Sequence, residues 1–205
     1  MNKYKTPFYI ISHPIEGYVE LFYHKWESLL VANFISLIYF ITLIVKRQAT
    51  GFIFNNARLD ELNVFNLMVQ SAGIVIMFCA LNWAVCTLFD GKGKLKGIWI
   101  AINYALVPYI VSTIVIIGLS NMLKTDESMF MSIIYYIGIL WSGFLLVKGL
   151  EAVHQYTIPQ TLLSIISTIA GMMIVVFIFI LLLSLSQQMI GFIVTISKEL
   201  MLRKY

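Results

Sequence analysis

Apolar residues run almost unbroken along this chain, and short polar clusters cut them into segments. Five segments are long enough to cross a hydrocarbon core of about 30 Å at about 1.5 Å of helix per residue. They lie at about 28–45, 64–89, 98–123, 129–147 and 161–186. The expected fold is all-α: a polytopic membrane protein, one domain over 1–205, with five transmembrane helices and an interfacial amphipathic helix at each end. The first interfacial helix, about 14–27, sets Ile15, Tyr18, Val19, Phe22 and Trp26 on one stripe, with Glu16, Glu20, His24 and Glu27 off it. Pro14 suits its first turn. At the other end, 161–197 is too long for one upright span. Gly191 offers a break, and Met189, Ile193, Ile196 and Leu200 form a stripe. A second interfacial helix is therefore expected at about 187–203.

Polar and small residues inside the spans predict how the helices meet. Cys79, Asn82, Cys86 and Asp90 share a face of the second span. An unpaired amide in lipid is costly, so Asn82 should look into the bundle and bond another helix. In the third span Asn103 and Tyr104 precede Pro108, which removes an N–H and crowds the Tyr104 carbonyl; a kink is expected there. Asn121 leads out of that span. Gly138 and Ser142 in the fourth span, and Ser167 and Gly171 in the fifth, are small-residue faces that admit a close neighbour. The segment 148–160 reads as a loop, with His154 solvated or hydrogen-bonded rather than a ligand.

Between the second and third spans stands a compact turn, Asp90 to Gly97, with three glycines and three lysines (Lys92, Lys94, Lys96). The glycines permit a tight reversal. Lysines beside a span favour the cytoplasmic face. The wider count does not orient the chain: with the N-terminus inside, seven basic residues fall on each side. The lysine turn favours a multi-pass protein of the cell membrane with its N-terminus in the cytoplasm and its C-terminus outside. The opening residues show no small-residue cleavage site and are not expected to be a removable signal peptide.

Gly91, Lys92, Gly93 and Lys96, followed by Tyr104, Ala105, Leu106, Pro108 and Tyr109, resemble a motif of the Yip/Yif membrane family. His13-Pro14 with Gly17-Tyr18 resembles the opening of its bacterial branch. The resemblance implies a five-span membrane domain with its N-terminus inside. It is named for eukaryotic members that interact with Rab GTPases in vesicle traffic. The acidic, aromatic-rich cytoplasmic segment of many such members has no counterpart here, which points to a prokaryotic protein.

Composition removes several classes. The chain is 60% hydrophobic and 12% charged, with a mean hydropathy of +0.89; soluble domains carry about 25% charged residues. The net charge of +4 is a membrane-flank signature, not a nucleic-acid surface. No Ser–His pair, paired aspartates or HExxH helix predicts catalysis. No metal-ligand spacing and no cofactor motif occurs. Every carboxylate, lysine and arginine can be placed outside the spans, which disfavours an ion-coupled transporter. The expected function is a non-enzymatic adaptor that binds and stabilises partner membrane proteins, in a bacterium a transport complex among them. Its contacts with partner or lipid would be Tyr18, Phe22, Trp26, Lys92, Lys94 and Lys96, with the small-residue faces as helix interfaces. One alternative is a small transporter or channel for a neutral solute, lined by Asn82, Asn103 and Asn121 around Pro108. Another is a lipid-binding or membrane-shaping protein.

Overall fold

A computed structural model describes residues 6–24, 27–55 and 63–202. They form helices α1 (Thr6–Ser12), α2 (Pro14–Tyr23), α3 (Leu29–Ala49), α4 (Val64–Leu88), α5 (Leu95–Ala105), α6 (Val107–Ser120), α7 (Ser128–His154) and α8 (Ile158–Leu202). No strand occurs among the described residues. Five helical stretches are long and apolar enough to cross a membrane: α3, α4, α5 with α6, α7 with the turn before it, and α8. The protein is an all-α polytopic membrane protein.

The third span is the centre of the bundle. In its most apolar window 67% is buried, against 22% or less in the other four. It packs on α3, α4 and α7, and Ile98, Ile100, Ala101 and Tyr104 sit in the core. The expected kink is present. α5 ends at Ala105, Leu106 lies between the two helices, and Pro108 occupies the first turn of α6, where a missing N–H costs nothing. The Tyr109 N–H donates to Ser142 Oγ at 3.0 Å. A neighbouring helix thus bonds the backbone at the break, as the bilayer cannot.

The structure redraws both ends of the chain. α2 packs on the bundle: Gly17, Tyr18 and Leu21 are buried, while Ile15 and Val19 of the same apolar stripe as Tyr18 stay more than half exposed. The Tyr18 hydroxyl donates to the Ala101 carbonyl at 3.2 Å, and its ring lies against Gly149 of α7. Ile10 of α1 folds back on Gly17. At the other terminus there is no break at Gly191: α8 is one helix of 45 residues, and the separate 187–203 helix is absent. A glycine alone does not end a helix in an apolar run, where unsatisfied backbone groups have no water to bond. α8 packs on α4 and α7; from Met173 to Glu199 it is exposed along its whole length.

Two boundaries also move. α7 continues past residue 147 to His154, so the expected loop 148–160 shrinks to 155–157. Lys148 and Glu151 pair within the helix at 2.8 Å, which offsets their charges near its end. At the opposite end of the bundle Gly51 N–H donates to Ser120 Oγ at 2.9 Å. Asn121 Nδ2 donates to the Ala49 carbonyl at 2.9 Å, so α3 and α6 are tied together there.

Candidate functional site

The lysine turn is clamped onto the corner between α7 and α8. Asn82 lies on the inner face of α4, fully buried. Its Nδ2 donates to Thr168 Oγ1 of α8 at 3.1 Å, and its Oδ1 lies 3.1 Å from His154 Nε2 of α7. Thr168 in turn donates to the Ser164 carbonyl at 2.7 Å. One side chain therefore joins three helices. His154, expected as a solvated or hydrogen-bonded loop residue, is helical and buried, so the solvated placement is overturned. Its ring stacks on Tyr156 with centroids 5.2 Å apart. Tyr156 donates to the Phe89 carbonyl at 2.9 Å; burial pushes its phenol up to about 12, which keeps the proton on.

The glycines of the turn have a different purpose from the one their sequence suggests. None of the described glycines has a positive φ; the left-handed residues are Asp90 (φ 56) and Gln155 (φ 58), at the ends of α4 and α7. Gly91 and Gly93 instead permit close approach. A Cβ on Gly93 would lie 2.6 Å from His154 Nδ1, and one on Gly91 would lie 2.6 Å from the Tyr156 hydroxyl. Two of the three lysines have partners. Lys92 Nζ donates to Gln155 Oε1 at 3.1 Å, Lys96 pairs with Glu27 at 2.7 Å, and Lys94 is exposed.

Beside the clamp runs a groove of about 560 Å³ between α2 and the end of α7. Ile15, Val19, Phe22 and Tyr23 form its apolar wall. Lys148, Glu151, Gln155 and Tyr156 form the polar one. The apolar wall is rigidly held because Tyr18 and Leu21, on the other side of α2, are fully buried.

The sequence-derived candidates separate into groups. Phe22 lines the groove, Tyr18 anchors its wall from behind, and Trp26 lies outside the described residues. Asn82, Asn103 and Asn121 do not come together. Asn82 belongs to the clamp. Asn103 Nδ2 bonds the Trp99 carbonyl of its own helix at 2.8 Å. Asn121 closes the far end of the bundle. Asn103 Oδ1 and the Tyr104 hydroxyl are buried without a hydrogen-bond partner among the described residues. Gly138 is no free helix interface: a Cβ there would fall on Ser112 Oγ of α6, so this face is used inside the chain. Ser167 is half-buried, and Gly171 meets only the tip of Leu81 on α4. Sequence reasoning missed the His154–Asn82 pair and the groove wall on α7. The signal was the apolar spacing Leu146, Leu150, Val153, which carries the helix past Lys148.

No group of three or more potential metal-ligating His, Cys, Asp or Glu residues occurs among the described residues. Compared with known proteins, the chain matches no curated protein and no solved structure. The model of the Yip1 domain matches residues 8–194, which takes in α2, the clamped turn, the kinked third span and the α7–α8 corner. The chain belongs to the Yip1 domain family.

Proposed function

We propose that the protein is a non-enzymatic membrane adaptor, and that it docks an apolar helix of a partner membrane protein in the groove between α2 and α7. The observation that carries this reading is the state of α2. The helix is fixed to the bundle through Tyr18, yet Ile15, Val19 and Tyr23 remain exposed beside a polar wall. A rigid, uncovered apolar surface with a polar rim is the usual form of a protein-binding site. The lysines of the clamped turn stand at the same end of the bundle, where Phe22 reaches Gly97, and suit an acidic flank on the partner.

The partner class we favour is a transport complex of a bacterial cell membrane, with the N-terminus and the lysine turn in the cytoplasm and the C-terminus outside. The collection of α2 and all three turn lysines at one end supports that orientation, since basic residues concentrate on the cytoplasmic side. A path for a neutral solute has no comparable support, because Asn82, Asn103 and Asn121 line none of the four grooves described among these residues.

The test is a native pulldown in mild detergent with identification of stoichiometric membrane proteins by mass spectrometry. The paired substitution Ile15→Glu and Val19→Glu should release the partner while leaving the melting temperature of the purified protein unchanged. Retention of the same partner by that variant overturns the groove as its seat.

A further inference from the structure

α3 and α4 leave between them a crevice of about 290 Å³, floored by Trp99 of α5. Its sides are largely apolar, with Leu37 and Phe40 from α3 and Met68 and Val75 from α4. Ser71 is spent within its own helix, donating to the Leu67 carbonyl at 2.8 Å. Ser36 and Tyr39 of α3 also line the crevice, and its free amide donors are at one end. Trp99 Nε1 donates to Asn33 Oδ1 at 2.9 Å, which leaves the two protons on Asn33 Nδ2 free to donate. Asn33 and Trp99 each lie about one turn inside their helices, and Lys96 with Glu27 stands one turn further out.

Both walls belong to membrane-length helices, so the open side faces hydrocarbon and not water. One turn of α-helix, about 5.4 Å long and about 10 Å across, already exceeds the crevice volume. A whole acyl chain exceeds it as well, but an extended chain is much narrower than a helix and can lay the part of its length nearest the ester in the crevice. We propose that the crevice is a phospholipid site. One acyl chain lies between α3 and α4, its ester carbonyl accepts from Asn33 Nδ2, and the phosphate sits toward Lys96. The site shares no residue with the α2–α7 groove and stands or falls separately from the adaptor reading.

The test uses the full chain reconstituted in phosphatidylcholine vesicles containing phosphatidylethanolamine with a diazirine in one acyl chain. After illumination, adducts are mapped by mass spectrometry. The expected result is enrichment on 33–40 and 68–75 over the more exposed stretch 136–144 of α7. Ala72→Trp or, independently, Ser36→Phe fills the crevice and removes the enrichment while labelling of α7 persists. Asn33→Val lowers the crevice signal about fivefold, the size of one lost hydrogen bond, whereas Trp99→Phe, which spares the Asn33 amide, retains it. Even labelling of all helices in the unmodified protein, or enrichment that survives both filling variants, would each overturn the proposal.

Discussion

His154 Nε2 and Asn82 Oδ1 meet at 3.1 Å in a buried space between α7 and α4, and the same asparagine reaches Thr168 of α8. The pair links the helix before the lysine turn to the corner that the turn rests on. Asn82→Leu removes both bonds and leaves the His154 ring without a hydrogen-bond partner, while Thr168 keeps its bond to the Ser164 carbonyl. The expected loss is about 1–3 kcal/mol for the stranded histidine, read as a lower melting temperature in detergent. His154→Phe keeps the ring stack on Tyr156 and should cost less. Combining the two should cost less than their sum, because the second substitution removes a group the first had stranded. Strict additivity would show that the pair contributes nothing.

The turn glycines separate by what stands behind them. Gly93→Ala drives a methyl to 2.6 Å from His154, which is held on its other nitrogen and cannot retreat. It should destabilise the protein by about 1–3 kcal/mol, as overpacking does. Gly97 is in α5, and its nearest neighbour would be Val153 Cγ1 at an ordinary 3.4 Å. Gly97→Ala should stabilise by up to about 1 kcal/mol through helix propensity. Thermal unfolding of the two variants decides whether contact or backbone conformation placed these glycines.

These cases show which parts of the structure were legible in the chain. The five spans were, because a bilayer demands length and apolarity and little else supplies them. So was the kink at Pro108, a local property of one residue. The reason for Gly93 was not, because its neighbour lies 61 positions away and no local pattern records it. The packing of α2 on the bundle was not legible from its apolar stripe, which pointed only to an interfacial helix. In a membrane bundle the inward face is set by fit: Tyr18 lies against Gly149 and bonds the Ala101 carbonyl, and Gly17 admits Ile10 of α1. The end of α7 was misplaced because Lys148 and Glu151 were taken as loop charges, though at i and i+3 they pair on a helix.

Gly138 and Gly143 offer a second contrast on α7. A Cβ on Gly138 would fall on Ser112 Oγ of α6, with the Pro108 carbonyl 3.5 Å away. Nothing lies within 4 Å of a Cβ on Gly143. Gly138→Ala should lower stability by about 1–3 kcal/mol, and Gly143→Ala should leave it unchanged or slightly raised. The same substitutions test where partners bind. If Gly143→Ala removed a copurifying protein and left the melting temperature intact, the outer side of α7 would be a partner surface in its own right.

The break at Leu106 predicts a coupling between Pro108 and Ser142. In the native chain Ser142 Oγ accepts the Tyr109 N–H at 3.0 Å, just past the proline. Ser142→Ala strands that donor at the kink and should cost about 1–3 kcal/mol. Pro108→Ala restores an N–H that can reach the Tyr104 carbonyl four residues back and lets α5 run into α6 without interruption. In that straightened background Tyr109 N–H can bond within its own helix, so Ser142→Ala should cost little. A four-member cycle of melting temperatures measures the difference. A cost for Ser142→Ala that is unchanged in the Pro108→Ala background would mean that the kink is imposed by packing of α7 against α6 around Gly138 and Ser112, with the proline only accommodated by it.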